Sequence, residues 1–316
     1  MDFNFKNKEY KNAGDDMKIG VIGGGAVGLL FSTYLSLNHK VVLLTRTNTQ
    51  ATVINEKGIV LSNSHKDMKY VVTAYSDFDK LEKQDLIIIA VKQYDLASLL
   101  KHLLTLPTNT PLLFIQNGIG HIKLLETLPH ETIFIGTVEH GVKKIGANHI
   151  HHTGIGITNV ALFRGRKESL IDFPDSVSEA FPFCFYQNYR KILLDKLIAN
   201  SVINPLTAIF KVKNGSLIEN PHYYKVFESL HAELSSVFPE IDTKQSLEKI
   251  IHICHSTKEN RSSMLSDMIA GRKTEIDAIV GAVLEHAEKK GMVLPITATI
   301  FEMIKGMERE YGFEDI

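Results

Sequence analysis

The stretch Lys18-Ile19-Gly20-Val21-Ile22-Gly23-Gly24-Gly25-Ala26-Val27-Gly28 decides how the rest of the chain is read. A short apolar run ends in glycines, and a helical pattern follows at once. Gly23, Gly25 and Gly28 fit the spacing G-x-G-x-x-G. The first glycine permits a tight turn. The second lets the backbone approach a pyrophosphate. The third lets the helix pack closely on the strand. A helix that opens here presents free N–H groups and the positive end of its dipole to phosphate. The same residues could form a glycine-rich turn without a ligand, so the surroundings must arbitrate.

Outward from this stretch, apolar runs alternate with helical segments. The runs are Lys18–Gly23, Lys40–Thr45, Asp85–Val91, Pro111–Ile115 and Thr132–Ile135. They are short, nearly continuous and rich in Val, Ile and Leu, as in parallel strands buried on both faces. Val27–Leu37, Tyr94–Leu104 and Ile119–Leu128 read as crossover helices. The alternation predicts an α/β fold with a Rossmann-type doubly wound sheet. Over Gly141–Val160 the spacing of Gly146, Gly154 and Gly156 suggests antiparallel strands added to that sheet, with one more at Phe183–Tyr186. After Asn188 strand signals nearly vanish. Segments 188–209, 222–237, 243–256, 275–290 and 296–309 read as helices. The expected organisation is an extension over 1–16, a nucleotide-binding domain over 17–187 and an all-helical C-terminal domain over 188–316.

The bulk properties fit this division. A chain of 316 residues exceeds what one core usually supports. Hydrophobic residues at 44% and charged residues at 22% suit a folded globular protein. A formal net charge of −1 provides no global field to recruit nucleic acid or an acidic membrane. The longest wholly aliphatic run, Leu86–Val91, is far too short to span a bilayer. Residues 1–16 lack the apolar core of a signal peptide. Cys184 and Cys254 are the only cysteines, too few for a disulfide framework, so a cytoplasmic location is expected.

The choice of cofactor can be argued from charge. An NAD site usually carries Asp or Glu about 20 residues after the glycines, on the ribose 2′-hydroxyl. Here no acidic residue lies between Gly28 and Glu56, and the second strand ends at Thr45-Arg46. Arg46 suits a 2′-phosphate, which favours NADPH/NADP. The plain alternative is a solvated loop arginine. Lys92 and Asn117 directly follow two further strands, where ligands of such sheets bind. They read equally well as an exposed lysine and a turn-forming Asn-Gly pair.

The segment Lys191–Ala208 is apolar around much of its circumference, yet Lys196, Asn200 and Asn204 fall at i, i+4 and i+8 on one side. Buried without partners, each would cost about 1–3 kcal/mol, and the ammonium more. The strip must face a cleft, a ligand or other polar groups. It suits a small oxygen-rich acid, or else it is a polar edge that meets water. Pro205 is expected to end or kink the helix. Thr274 and Asp277 resemble a capping box. Glu275 reads locally as a first-turn carboxylate, and Ser262 and Ser263 as turn or cap residues. His149, His151 and His152 cluster without a nearby carboxylate or cysteine, so no metal site is expected. Lys143-Lys144 and Arg164–Lys167 read as solvated loops.

Together these residues resemble the ketopantoate reductase family, over Met17 to about Met307. The likeness rests on Gly23–Gly28, Val91-Lys92-Gln93-Tyr94 and Gln116-Asn117-Gly118. More specific are Lys196-Leu-Ile-Ala-Asn200-Ser-Val-Ile-Asn204-Pro205, Asn214-Gly215, and Asn260-Arg-Ser-Ser263-Met with Thr274-Glu275-Ile-Asp277. The resemblance implies reduction of 2-dehydropantoate to (R)-pantoate by NADPH, on the way to pantothenate and coenzyme A. It implies Lys196 as the catalytic lysine, and Asn117, Asn200, Asn204, Asn214 and Ser263 as substrate-binding. It implies Lys92, Asn117, Gly141 and Glu275 as cofactor contacts, beside Gly23, Gly24, Gly25, Ala26, Val27 and Gly28 of the glycine loop and Arg46 as read above. At Gly141 this sequence departs from the family's common alanine. The expected partner is a small 2-keto acid, with neither nucleic acid nor membrane, and a homodimer is admitted. Two alternatives stay open: a reductase of another branched 2-keto acid, and a non-catalytic NADPH-binding sensor.

Overall fold

A computed structural model describes residues 16–312, apart from 64–65, 82 and 171–172. The expected extension over 1–16 lies outside the described residues except for Asp16, as do residues 313–316 at the other end. In chain order the front half contains β1 (Lys18–Ile22), α1 (Ala26–Leu35), β2 (Lys40–Leu44), α2 (Asn48–Lys57), β3 (Ile59–Ser62), β4 (Asp67–Tyr70) and β5 (Thr73–Tyr75). It continues with β6 (Leu86–Ile89), α3 (Leu96–Leu103), β7 (Leu112–Phe114), α4 (Ile122–Thr127) and β8 (Ile133–Val138). It closes with β9 (Gly141–Lys144), β10 (His149–Gly154), β11 (Thr158–Arg164) and β12 (Phe183–Tyr186).

The main sheet has the order β12-β11-β8-β7-β6-β1-β2-β5. β1 pairs in parallel with both β2 and β6, so the chain winds outward from β1 in one direction and then in the other. This is the doubly wound arrangement, with its switch point between β1 and β6. β1, β6 and β7 are buried on both faces after their first residue or throughout, which is why their sequences run apolar without alternation. One core fills the side of the sheet that includes α1, and a second fills the side with α3 and α4.

Three expectations need correction. The strands of 141–160 do not all join the main sheet. Only β11 does, antiparallel to β8. β9 and β10 instead build a separate four-stranded sheet, order β4-β3-β10-β9, with two strands that the sequence reading had not separated. Ile59, Leu61 and Ile150 are buried in this sheet, so it seals against the core around α1 rather than extending the large sheet. Secondly, Arg164 is no solvated loop residue. It lies in β11, and its guanidinium donates to the carbonyls of Leu128 and His130 at 2.6 and 2.8 Å.

The third correction concerns Pro205. The helical half comprises α5 (Tyr189–Phe210), α6 (Ser216–Glu219), α7 (Pro221–Ser236), α8 (Thr243–Ser256), α9 (Ser263–Ile269), α10 (Ala282–Glu288) and α11 (Pro295–Glu310). A π-helical turn, Asp277–Gly281, leads directly into α10. Pro205 does not end α5, which continues to Phe210. Surrounding packing outweighs the lost backbone bond, since Pro205, Leu206, Thr207 and Ala208 are all buried. The helix stops at Lys211, in left-handed conformation with φ 56°.

α5 joins the two halves. Leu193 packs with the sheet core, whereas Leu194, Leu197, Ile198, Val202 and Leu206 lie in the core of the helical half. Its length and apolar composition would allow a membrane crossing, but most of its surface is buried inside the protein.

Candidate active site

The glycine loop connects β1 to α1. Gly23 has φ +120°, and its N–H donates to the Leu44 carbonyl at 2.8 Å, which turns the chain sharply off β1. A Cβ on Gly28 would lie 1.8 Å from the Gly23 carbonyl oxygen, so only glycine lets helix and loop approach this closely. Gly25 is the reverse case. Nothing stands within 4 Å of where its Cβ would be, and no side chain caps the helix that begins at Ala26. The amides of Ala26 and Val27 therefore open α1 toward an unobstructed surface. This geometry fits a dinucleotide pyrophosphate.

Arg46 follows β2 at the same end of the sheet. It is exposed and has no partner among the described residues. Gly141 begins β9 and pairs with Gly154 across a bulge in β10. A Cβ there would meet the Thr153 hydroxyl at 2.7 Å, a contact that rotation of the Thr153 side chain would relieve.

A second group of predicted residues meets where the two halves face each other. Lys92 leaves the end of β6, and its ammonium donates to Asp267 of α9 at 2.9 Å. It also stands 3.7 Å from Glu275. Asn117 leaves the end of β7, and its amide donates to Glu275 at 3.0 Å. Gln116 ties those strand ends together by donating to the carbonyls of Ile89 and Val91. Gly118 has φ +81°, and a Cβ on it would lie 2.0 Å from the Ala278 carbonyl of the π-helical turn. Backbone thus meets backbone across the cleft.

Lys196 lies on the face of α5 turned to β8, and its ammonium donates to the Val138 carbonyl. Burial lowers its pKa to about 8, against the opposing influence of Glu139 and Glu275. Asn200, one turn along, is half-buried and makes no side-chain hydrogen bond among the described residues. Asn204, a further turn along, is buried and approaches the Ser263 hydroxyl at 3.4 Å, a long hydrogen bond. The strip therefore borders the cleft, with its middle amide unspent. Ser262 is the N-cap of α9, its hydroxyl accepting from the Leu265 amide at 3.1 Å and from the Thr207 hydroxyl at 2.7 Å. Asn214 donates to the Thr257 hydroxyl at 2.9 Å while its buried carbonyl oxygen has no partner. Its backbone N–H donates to Asn260, which ties it to the segment that carries Ser262 and Ser263.

The capping box at Thr274 is half formed. Its hydroxyl accepts from the Ile276 amide at 3.1 Å. The reciprocal partner is the buried Glu308 of α11, which accepts from the Thr274 amide at 2.7 Å, while Asp277 pairs with Lys305.

Sequence reasoning missed Asp267. It forms two ion pairs, with Lys92 and, at 2.8 Å, with Arg272. Its signal was a carboxylate among the apolar residues Met264, Leu265 and Met268 of one short helix, a position that demands a cation. It also missed Glu139, which accepts from Asn159 at 2.8 Å and stabilises the charge on Lys196. His149 and His152 have partners within the fold, the Ser62 hydroxyl at 2.6 Å and the Tyr34 hydroxyl at 2.8 Å.

Comparison with known proteins bears on what this cleft does. Residues 19–165 match the family model described as ketopantoate reductase PanE/ApbA, and residues 188–308 match that family's C-terminal model. A 2-dehydropantoate 2-reductase of Listeria innocua is 38% identical over 299 residues, which span 94% of this chain and 98% of the relative. The enzyme of the same name from Bacillus subtilis is 37% identical, over 93% of this chain and 98% of its own length. A crystal structure of a probable 2-dehydropantoate 2-reductase from Bacillus subtilis superposes with a TM-score of 0.85 at 36% identity, covering 92% of this chain and all of that one.

Proposed function

The chain belongs to the ketopantoate reductase family, and we propose on that premise that it reduces 2-dehydropantoate to (R)-pantoate with NADPH as the electron donor. Residues 17–187 would hold the cofactor, and 188–316 would supply most substrate contacts. The observation that carries the reading is the polar strip of α5, with Lys196 at the cleft and the unspent amide of Asn200 beside it. A sensor that merely bound a dinucleotide would have no need of that strip.

The residues present fit a nicotinamide dinucleotide. Gly23, Gly24, Gly25, Ala26, Val27 and Gly28 would hold its pyrophosphate, and Arg46 its 2′-phosphate. Lys92, Asn117, Gly141 and Glu275 would complete its contacts. When bound, the reduced nicotinamide supplies a hydride to the substrate's carbonyl carbon. Negative charge then develops on the carbonyl oxygen. Lys196 meets that charge as an ammonium and gives its proton to the oxygen as general acid. A pKa of about 8 keeps it mostly charged at neutral pH yet makes the proton easier to give than that of a free lysine, at about 10.4. Asn200, Asn204, Asn214 and Ser263 would orient the carboxylate and hydroxyl of the substrate with neutral groups, so they add no charge beside Lys196, whose ammonium form Glu139 and Glu275 favour. Asn117, already on Glu275, sits where cofactor and substrate would meet. Closure of the two halves excludes water.

The test is turnover. Purified protein should oxidise NADPH only when 2-dehydropantoate is present. A panel of branched 2-keto acids, compared by kcat/KM, then ranks the substrates. Tight NADPH binding without turnover on any of them would sink the reading.

A further inference from the structure

The pair Lys143-Lys144, read from sequence as a solvated loop, needs correction, because both residues lie in β9. Lys144 ends β9, and its ammonium donates to the carbonyl oxygen of Gly24 at 2.7 Å. The same oxygen accepts from the side-chain amide of Gln50 at 2.8 Å. That amide also donates to the Ala147 carbonyl, in the β9–β10 turn, at 2.7 Å. One carbonyl of the glycine loop is thus the meeting point of α1, the first turn of α2 and the small sheet. The separate sheet thereby acquires a use: it carries a lysine to the glycine loop.

The charges there are one-sided. Lys144 has no carboxylate partner among the described residues, and its ammonium is held only by a neutral carbonyl. Partial withdrawal from water lowers its pKa, with no anion opposing the change. Arg46, likewise without a partner, stands four positions before Gln50, and Thr47 caps α2 between them by accepting from the Gln50 amide. No acidic residue occurs between Gly28 and Glu56. The glycine loop thus receives one cation, Lys144, from the small sheet and has a second, Arg46, just past the end of β2, and neither has a carboxylate partner among the described residues.

We propose that Lys144 joins Arg46 in recognising the cofactor's 2′-phosphate, with Gln50 as the positioning residue between loop and hairpin, and that Lys144 is a specificity-determining residue for a 2′-phosphorylated dinucleotide. The inference rests on the proposed reading of the glycine loop as a dinucleotide site. Without cofactor the Gly24 carbonyl holds the ammonium in place. A doubly charged phosphate is a far stronger acceptor than a neutral carbonyl, so the lysine transfers to it when the ligand arrives. Gln50 keeps its bonds to Gly24 and Ala147 and so maintains the spacing between loop and hairpin.

The experiment is equilibrium binding of two fragments, 2′,5′-ADP and 5′-ADP, to the full-length protein and to Lys144→Met. Neither measurement needs a keto acid. Loss of one charge-assisted hydrogen bond should weaken 2′,5′-ADP roughly 10- to 100-fold, and 5′-ADP by less than about twofold. Lys144→Arg should restore most of the lost affinity, and Lys144→Gln serves in the same comparison if the Met variant does not fold. Equal weakening of both fragments would assign Lys144 to the pyrophosphate or to structure and overturn the proposal. So would unchanged binding of 2′,5′-ADP. Wild-type protein that binds neither fragment overturns the dinucleotide reading as well, which separates the two failures.

Discussion

Lys92 and Asp267 stand 175 positions apart in the chain, and 2.9 Å separates their charged groups. The lysine belongs to the sheet and the aspartate to the helical half, so the pair fixes one half against the other at the cleft. Lys92 touches Glu275 as well, and Burial would depress its pKa, but the two carboxylates outweigh that and raise it. Asp267→Ala should leave Lys92 and Arg272 without their shared partner. Both cations are partly open to water, so the stability loss should be only about 1–2 kcal/mol. Denaturant titration checks this, and an unchanged midpoint would show that the pair contributes nothing.

Lys196→Ala should lower kcat by roughly 100- to 10,000-fold, the usual contribution of a positioned acid. Single-turnover measurement of NADPH oxidation decides it, and a near-wild-type rate removes the assigned role.

The same residue sets a pH limb. The reaction needs the ammonium form, and burial lowers its pKa to about 8. The rate of reduction should therefore be level below that value and fall as pH rises through it. A rate that holds constant to pH 10 would contradict the assignment.

Arg46→Asp places a carboxylate where a 2′-phosphate would sit. The NADPH/NADH ratio of kcat/KM should fall by about tenfold or more. Comparison of initial rates with the two cofactors is the check.

Gly118→Ala should be among the most damaging small changes. It meets both the positive φ and the Ala278 carbonyl at 2.0 Å. A cost of roughly 2–3 kcal/mol is expected, and a thermal midpoint equal to wild type would refute the close contact.

Acid should destabilise the fold early. His121 is buried, its ring nitrogens have no hydrogen-bond partner, and burial lowers its pKa to about 4. His140 is lowered to about 3 by burial, by His152 and by Lys196. Such groups protonate first in the unfolded chain, so stability falls as pH drops below about 6.5 and continues to fall until the folded-state values are reached. On that shift His121 alone should contribute a loss on the order of 3 kcal/mol. His121→Gln that left the acid midpoint unmoved would exclude it as a source.

By itself the sequence determined what has a local period. Continuous apolar runs gave away β1, β6 and β7 because both faces of those strands are buried. Glycine spacing located the α1 loop because Gly23 turns with a positive φ, Gly28 lies against Gly23, and Gly25 leaves the start of the helix open. The strip Lys196, Asn200 and Asn204 was visible because a helix repeats every 3.6 residues. Only the tertiary structure decided what depends on docking between distant edges. It set β9 and β10 into their own sheet, carried α5 through Pro205, brought Asp267 to Lys92 and Glu275 to Asn117, and laid Lys144 on Gly24. Those pairings join residues whose neighbours in the chain carry no trace of the partner, since a side chain's own sequence context fixes which face it shares but not which surface that face will meet.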